Sequence, residues 1–397
     1  MCTWRRLAAV TLLAFAPAPA ASAQVTVTGE VTATIGSQDD TAFFNYTDYE
    51  HNALRMFRVS LAGMWQPTSR LALLADVRSE DLQEVIPYAM YVRVRPLAGR
   101  ALFVQAGRIP PVFGAFGRRT YGSDANPLIG YPLTYQYLTS LRADAIPATA
   151  DDLLAMRARG WRAAFPIGVR EPGPGVPLMS AYRWDTGIEA HASSARLDGS
   201  AAVTTGTLSN PLVQNDNDGL QLSGRVAWKP LVGLVVGASA ARGEFLARVV
   251  TDTLTAVGEQ QPYTQRAFGL DAEYSRDYWI VRGELIDSRW TLPAIAAPYI
   301  DSPLRATAAF VETRYRFGPR YFAAARADWL TFSRVRGEQM FDGVPTPWDA
   351  PVTRVEAGGG VYLRRTLTAR AIVQHNWRDD GRVTSRTYVS GQLAYWF

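Results

Sequence analysis

Apolar and polar residues alternate with a period of two along most of residues 25–397. Residues 309–317 show the pattern, with one face formed by Ala309, Val311, Thr313, Tyr315 and Phe317 and the other by Glu312, Arg314 and Arg316. This period predicts β-strands, because successive side chains of a strand point to opposite faces of the sheet. The chain is therefore predicted to be an all-β protein with one apolar and one polar strand face.

The links between these strands are alternately short and long. Short links include 66–70, 97–100 and 318–320, and long links lie near 37–56, 111–156, 243–265, 288–304 and 333–351. After the N-terminal segment there is no run of about 18 apolar residues, the length that a transmembrane helix requires. The alternation favours a transmembrane antiparallel β-barrel, with lipid outside and a wet lumen inside. A soluble secreted β-sandwich is the structural alternative.

The pattern predicts seventeen strands, at 25–36, 57–67, 71–80, 87–96, 101–109, 157–167, 179–191, 201–210, 220–229, 231–242, 266–275, 278–289, 305–316, 321–332, 353–364, 367–378 and 385–397. A single-chain bacterial barrel has an even number of strands, so one of these predictions must be wrong. The error is expected within 157–200, where Pro172, Pro174 and Pro177 interrupt the pattern. We expect sixteen strands, with eighteen as the alternative, and a barrel wide enough for an aqueous channel.

Residues 1–23 resemble a secretory signal peptide, with Arg5 and Arg6 ahead of an apolar run and a small-x-small pattern that ends at Ala23. Cleavage there would leave 24–397 as a single outer-membrane barrel domain, exported through the periplasm of a Gram-negative bacterium. The loss of Arg5 and Arg6 lowers the formal charge from +5 to +3. The remaining basic residues are spread along the chain, which argues against nucleic acid as a partner.

The longest irregular segment, 110–156, follows a strand that ends at Ile109. In this segment the prolines at positions 110, 111, 127 and 132 fix φ and remove amide donors. Loops longer than about 12–15 residues in compact domains are usually functional or disordered. We predict that this loop folds into the lumen and narrows it. Within it, Thr149 is expected to cap a short helix over 149–159, with Asp152 completing a capping box.

The candidate pore-constriction residues are Arg118, Arg119, Arg142, Arg108, Tyr121 and Asp144. Arginines at a narrow wet site favour anions, because low-dielectric walls focus their field. Arg108 is the least straightforward, since strict alternation points it at lipid, where a charge at mid-membrane costs about 2–4 kcal/mol. Either a bulge at Gly107 turns it inward, or it lies above the membrane. The candidate lumen-wall residues are Arg93, Arg95, Arg225, Arg314, Arg316 and Glu312; the alternative for each arginine is a solvated face or a salt bridge.

Residues 107–114, Gly-Arg-Ile-Pro-Pro-Val-Phe-Gly, resemble a segment of the phosphate-selective porin O and P family. In that family a strand ends with glycine and a basic residue, followed by proline, an aromatic residue and glycine. The resemblance implies a porin for passive diffusion of small hydrophilic solutes, with an inward-folded third extracellular loop, a preference for anions and a possible homotrimer. Lys229 is the only lysine and no arginine ladder can be aligned, so phosphate specificity is not implied.

The last strand resembles the carboxy-terminal signature of outer-membrane barrels that the barrel assembly machinery recognises. Its aromatic and apolar residues on one face include Leu393, Tyr395 and Phe397. Expected partners are therefore outer-membrane lipid, the assembly machinery and small anionic or neutral solutes.

Patterns typical of enzymes are missing from the sequence, including His-Glu-x-x-His, Gly-x-Ser-x-Gly and the dinucleotide fingerprint. Residues 215–219 resemble a calcium loop, but Gln214 and Arg225 occupy two ligand positions, so a turn is expected. We expect no enzymatic activity, no cofactor and no metal. A non-conducting barrel, such as a hydrophobic-substrate transporter or a barrel enzyme, is the alternative function.

Overall fold

The computed structural model describes residues 23–39, 42–47, 51–97, 99–117, 125–180, 184–259, 262–379 and 385–397. Sixteen antiparallel strands form one closed barrel. They are β1 Gln24–Gly36, β2 Phe57–Thr68, β3 Leu71–Glu80, β4 Val85–Val94, β5 Leu102–Ile109, β6 Asp185–Ser193, β7 Leu197–Thr204, β8 Gln221–Leu231, β9 Leu234–Glu244, β10 Thr264–Arg276, β11 Trp279–Trp290, β12 Leu304–Arg316, β13 Tyr321–Phe332, β14 Val352–Arg364, β15 Leu367–Arg378 and β16 Ser385–Trp396. Each strand pairs with its neighbours in chain order, and β1 also pairs with β16. The predicted sixteen-stranded barrel is confirmed.

The strand predicted at 157–167 is wrong. In the structure β5 pairs directly with β6, and Ile167–Gly168 forms only a two-residue ladder with Ala145–Ile146. Prolines at 166, 172, 174 and 177 cannot donate to a barrel ladder, which explains why this segment forms no wall strand. The connection between Ile109 and Asp185 is consequently longer than the 110–156 predicted.

The short helices lie in the long loops. They are α1 Leu133–Gln136, α2 Ala150–Ala155 and α3 Arg248–Ala256, with a 3-10 turn at Met340–Gly343. The capping box of α2 is confirmed, since the Asp152 amide donates to Thr149 Oγ1 at 3.2 Å and the Thr149 amide to Asp152 Oδ2 at 2.9 Å. Among the described residues, no helix is long and apolar enough to cross a bilayer.

The outer surface of the barrel is apolar and the inner surface polar. Exposed outward side chains include Val27, Leu61, Val104, Val226, Leu285, Val311, Trp329, Val355 and Val373. On β16 the proposed assembly residues also face outward, with Leu393, Tyr395 and Phe397 exposed by 46%, 44% and 57%. Phe397 and Gly29 exchange two backbone hydrogen bonds of 3.0 Å beside the seam that closes the barrel.

The buried apolar residues lie inside the barrel, where loops pack against the inner wall. The largest cluster combines residues of the β5–β6 connection, such as Tyr137 and Phe165, with Val250 of α3 and with Trp290 and Trp348. The hydrophobic core therefore lies between the loops and inward-facing apolar residues of the wall strands, and it holds the loops inside the barrel.

Candidate functional site

The connection between β5 and β6 crosses the lumen. Just after Ile109, the amide of Gly114 donates to Ser239 Oγ of β9 at 3.0 Å, and the amide of Ala115 donates to Glu284 Oε1 of β11 at 2.9 Å. Further on, the Leu133 amide donates to Asp328 Oδ1 of β13 at 3.1 Å. Because β13 is eight strands from β5 in a ring of sixteen, the segment reaches the opposite wall.

Three inward-facing carboxylates anchor this crossing segment. Glu284 accepts from the Ala115 amide and the Tyr135 hydroxyl. Glu356 accepts from the Gly130 amide at 3.1 Å, and Asp328 from Leu133. The exposed fractions of Glu284, Asp328 and Glu356 are only 5%, 1% and 0%, so these carboxylates bind the loop in place of water.

Glycine is required at two of the anchor points. A Cβ at Gly114 would lie 2.1 Å from Glu284 Oε1, and a Cβ at Gly130 would lie 2.4 Å from Glu356 Oε2. Atoms cannot approach this closely without displacing the carboxylate. The backbone reaches the wall at these positions because it has no side chain.

One arginine links two of these carboxylates, Asp328 and Glu356, to each other and to Glu312. Arg326 of β13 contacts Asp328 Oδ2 at 3.1 Å, Glu312 Oε2 at 3.3 Å and Glu356 Oε2 at 2.9 Å, with every one of these side chains at most 3% exposed. Charge-assisted bonds of this kind are strong when water is excluded. We call Arg326, Glu312, Asp328 and Glu356 the anchor cluster.

Wall arginines bind the carbonyl groups of the same segment. Arg282 Nη1 donates to Ala125 O at 2.8 Å, and Arg354 Nη1 donates to Tyr131 O at 3.0 Å. Arg370 Nη1 binds Asn126 O. Carboxylates thus satisfy loop amides and guanidinium groups satisfy loop carbonyls, which is how irregular backbone can be buried here.

Three of the predicted constriction residues, Arg118, Arg119 and Tyr121, lie outside the described residues. Arg142 is described and is 1% exposed. Its Nε and Nη2 donate to Asp144 at 2.9 and 2.8 Å, and its Nη1 donates to the carbonyls of Ala163 and Glu171 at 2.9 and 2.6 Å. This corrects the prediction that Arg142 lines the channel, because a buried guanidinium with these partners stabilises the loop instead. Asp144, 43% exposed, is its counterion.

Arg108 binds main-chain carbonyls at the loop end of β5. Its Nε donates to Trp184 O at 3.1 Å and its Nη1 to Pro87 O at 2.5 Å. The pairing of Gly107 and Arg108 with β4 and β6 continues without a shift in register, so the first of the two alternatives, a bulge at Gly107, is wrong. Arg108 lies at the last pairs of the ladder and has carbonyl partners, which fits the other alternative, a position near the rim.

Two of the predicted wall residues are ion-paired. Arg225 binds Asp271 through Nε at 3.0 Å and Nη2 at 2.5 Å. Glu312 belongs to the anchor cluster and also lies 3.7 Å from Arg282 Nη1. For these residues the salt-bridge alternative applies.

Arg93, Arg314 and Arg316 face inward near the end of the barrel with short turns, and none of them forms an ion pair with a carboxylate of the described residues. Arg93 of β4 donates to Gln105 Oε1 at 3.1 Å, and Arg316 of β12 donates to Pro319 O at 3.1 Å. Arg314 shares its face of β12 with Arg316, and both line a cavity of about 410 Å³ together with Asp277. Because β4 and β12 are eight strands apart, these cations lie on opposite walls, near the end with short turns. We call Arg93, Arg314 and Arg316 the cationic vestibule. Arg95, the remaining predicted wall residue, lies just after the end of β4 and is exposed.

Sequence reasoning missed most of the residues that hold the loop, including Glu284, Asp328, Glu356, Arg326 and Arg354. Each is a charged residue at an inward position of its strand, so the alternating pattern marked it as polar-facing. The pattern carried no signal for its partner. Within the described residues, no group of three or more histidine, cysteine or acidic side chains could hold a metal ion.

No family model matches the chain, and no curated protein matches it by sequence. Its structure is similar to OmpT, an outer membrane protein of Vibrio cholerae (trimer form), with 11% identity, 95% of this chain and 100% of that chain covered, and a TM-score of 0.56. An anion-selective porin from Comamonas acidovorans gives the same identity, coverage and TM-score. OmpF of Salmonella typhi, in complex with daunomycin, has 10% identity, with 94% and 97% covered and a TM-score of 0.54.

The chain has a porin-type fold. The resemblance to outer-membrane porins is confirmed for the architecture, and the narrower resemblance to the phosphate-selective O and P family is not confirmed.

Proposed function

We propose that the chain is an outer-membrane porin that admits small hydrophilic solutes by passive diffusion. The observation that carries the proposal is the sixteen-stranded barrel with an apolar outside and a charged inner wall. An apolar outer surface of this extent requires lipid, and a barrel of this size encloses an aqueous channel. The crossing segment between β5 and β6 narrows this channel without catalysing a reaction.

The cationic vestibule supports a preference for anions. Arg93, Arg314 and Arg316 present positive charge from two opposite walls, whereas the lumen carboxylates Glu312, Asp271 and Glu273 are paired with arginines. Unpaired charges of one sign in a confined wet space concentrate the opposite ion. Arg118 and Arg119 remain constriction candidates under this proposal.

A second candidate is a barrel that does not conduct openly. It is favoured by the crossing segment, which contacts β9, β11, β13, β14 and β15 and so divides the lumen. A transporter for hydrophobic substrates or a barrel enzyme would have this feature too.

Single-channel recording in planar bilayers separates these candidates. A porin gives discrete conductance steps, and a salt gradient across the bilayer gives a reversal potential of the sign expected for anion preference. Replacing Arg314 and Arg316 together by Gln should lower the anion-to-cation permeability ratio by about fourfold per charge, because a unit charge about 10 Å away in water lowers the energy of an anion and raises that of a cation by about 0.4 kcal/mol each.

Arg242→Gln with Arg266→Gln is the matched control, since both side chains are exposed on the outward face of the barrel. Conductance with cation preference would refute the anion claim alone, whereas a folded protein without conductance would refute the porin. The same recording after Arg118→Ala and Arg119→Ala tests the constriction.

We also propose cleavage after Ala23, export through the periplasm and recognition of Leu393, Tyr395 and Phe397 by the barrel assembly machinery. A homotrimer is proposed because the similar OmpT of Vibrio cholerae has a trimer form. N-terminal sequencing of the purified protein and its mass in detergent test the cleavage site and the trimer.

A further inference from the structure

Four arginines form a continuous row on the outside of the barrel. Arg242 of β9 pairs with Arg266 of β10, Arg266 pairs with Arg289 of β11, and Arg289 pairs with Arg305 of β12. All four side chains are exposed and occupy outward positions of their strands. We call these residues the arginine row; at about 4.8 Å between strands it is about 14 Å long.

The row carries more positive than negative charge. Asp287, also outward-facing, binds Arg289 Nε at 2.9 Å and also binds Arg305. Arg242 and Arg266 form no hydrogen bond or ion pair with any described residue. Like charges on directly opposite residues of a sheet are destabilising. Four cations side by side with one carboxylate between them therefore need an additional anion.

The height of the row matches a membrane interface. Trp279 and Arg289 face outward on the same strand, ten residues apart, and Trp279 is 49% exposed beside Tyr315. At about 3.3 Å per residue and a strand tilt near 40°, this separation is about 25 Å of height, which is the thickness of the apolar band of such barrels. If Trp279 marks one interface, the row lies at the other, where an exposed arginine costs only about 0–1 kcal/mol.

The chemistry of the row fits phosphate. Guanidinium groups bind phosphate through two parallel hydrogen bonds, and arginine is the preferred residue for this recognition. One phosphate engages one or two neighbouring arginines, so a row of this length accommodates a headgroup with more than one phosphate. Below the row, Phe268, Leu270 and Leu285 are exposed outward and offer an apolar surface to acyl chains.

We propose that the arginine row binds the phosphate-bearing headgroup of an outer-leaflet lipid. The proposal requires the barrel to sit in an outer membrane, as proposed above, and does not require it to conduct. The neighbouring outward carboxylate Glu244, two residues beyond Arg242, is half-buried against Gly219, so the exposed surface of the row remains basic.

The test uses the full folded barrel in detergent micelles that contain bisphosphorylated lipid A, and native mass spectrometry counts the lipid that stays bound. The double variant Arg242→Gln and Arg266→Gln removes the two cations that form no hydrogen bond or ion pair with any described residue, so the fold should be unaffected. The control is Arg364→Gln with Arg365→Gln, which removes the same charge from another exposed site.

We expect the row variant to bind lipid A at least about tenfold more weakly, from the loss of two charge-assisted contacts, and the control to bind it normally. Wild-type protein should retain phosphatidylcholine, which is zwitterionic, much more weakly than lipid A. Equal retention of lipid A by the two variants would overturn the proposal. Loss of the oligomer in the row variant, with lipid retention unchanged, would also overturn it and assign the row to contact with a second copy. The conductance of the row variant should equal that of the wild type. Failure of the lipid-binding proposal can therefore be distinguished from failure of the porin proposal.

Discussion

Replacement of Arg326 by Met is expected to destabilise the barrel and release the crossing segment. The guanidinium is the common partner of three carboxylates, those of Glu312, Asp328 and Glu356, at 2.9 to 3.3 Å. Methionine fills a similar space but carries no charge. The substitution therefore leaves three acidic groups close together in a buried place.

The size of the effect follows from burial. The exposed fractions of Glu312, Asp328 and Glu356 are 2%, 1% and 0%, so water cannot replace the lost cation. Removing one partner from a buried ion pair costs about 3–5 kcal/mol, because the remaining charge is uncompensated. We expect a loss of this size, and additional open-channel noise, since Asp328 and Glu356 also hold the amides of Leu133 and Gly130.

The free energy of unfolding is measured by urea titration of the barrel in lipid vesicles, with heat-modifiable migration on gels as the signal. Arg316→Met is the matched control on the adjacent strand, where the guanidinium has no carboxylate partner among the described residues; it should cost less than about 1 kcal/mol. Adding Glu312→Gln to Arg326→Met removes one excess carboxylate and should restore at least about 1 kcal/mol, a coupling typical of charges in direct contact.

A loss below about 1 kcal/mol for Arg326→Met, with unchanged channel noise, would contradict the role of the anchor cluster. The same conclusion would follow if the second substitution increased the loss.

Two further predictions concern the backbone and pH. Gly107 has φ of +127°, and a Cβ there would lie 2.3 Å from Met90 O, so Gly107→Ala should lower the free energy of unfolding by about 1–3 kcal/mol in the same titration. The control is Gly63→Ala, because the space around the new Cβ is open. Equal urea midpoints for the two variants would contradict the predicted backbone strain at Gly107. Burial raises the pKa of Asp349. Hydrogen bonds from three backbone amides to its carboxylate act in the opposite direction, but the effect of burial is larger. A carboxyl group whose pKa is higher in the folded than in the unfolded protein adds to the free energy of unfolding. This contribution is fully present below the unfolded pKa of about 3.9 and is lost as the pH rises through the folded pKa. Asp349→Asn should flatten the dependence of hydrogen exchange on pH in residues 138–160, after correction for intrinsic rates, and an unchanged slope would contradict this prediction.

The strand pattern was predictable because it depends on local chemistry. A period of two places apolar and polar side chains on opposite faces whatever the partner strand is, and closure follows because an open edge cannot be satisfied in lipid. The capping box of Thr149 and Asp152 was predictable for the same reason, since its partners are three residues apart. The extra strand at 157–167 shows the limit, because a period of two in a short segment does not reveal whether a neighbouring strand is available for pairing.

The roles of individual charges depended on contacts between distant residues. Glu284, Asp328 and Glu356 bind loop amides that are 169, 195 and 226 residues away in the chain. Arg142 was a plausible channel residue by position, yet carbonyls 21 and 29 residues away bury it. No local pattern specifies such partners.

The arginine row depends both on the local pattern along each strand and on contacts between strands. Alternation along each strand was sufficient to place Arg242, Arg266, Arg289 and Arg305 on outward faces. Their alignment into one row depends on the register of β9 to β12, which the tertiary structure decides through turn geometry and strand pairing. The sequence by itself determined the strands and their faces, because these follow from near neighbours. Only the folded barrel decided which charges meet, because that depends on residues brought together across the sheet and the lumen.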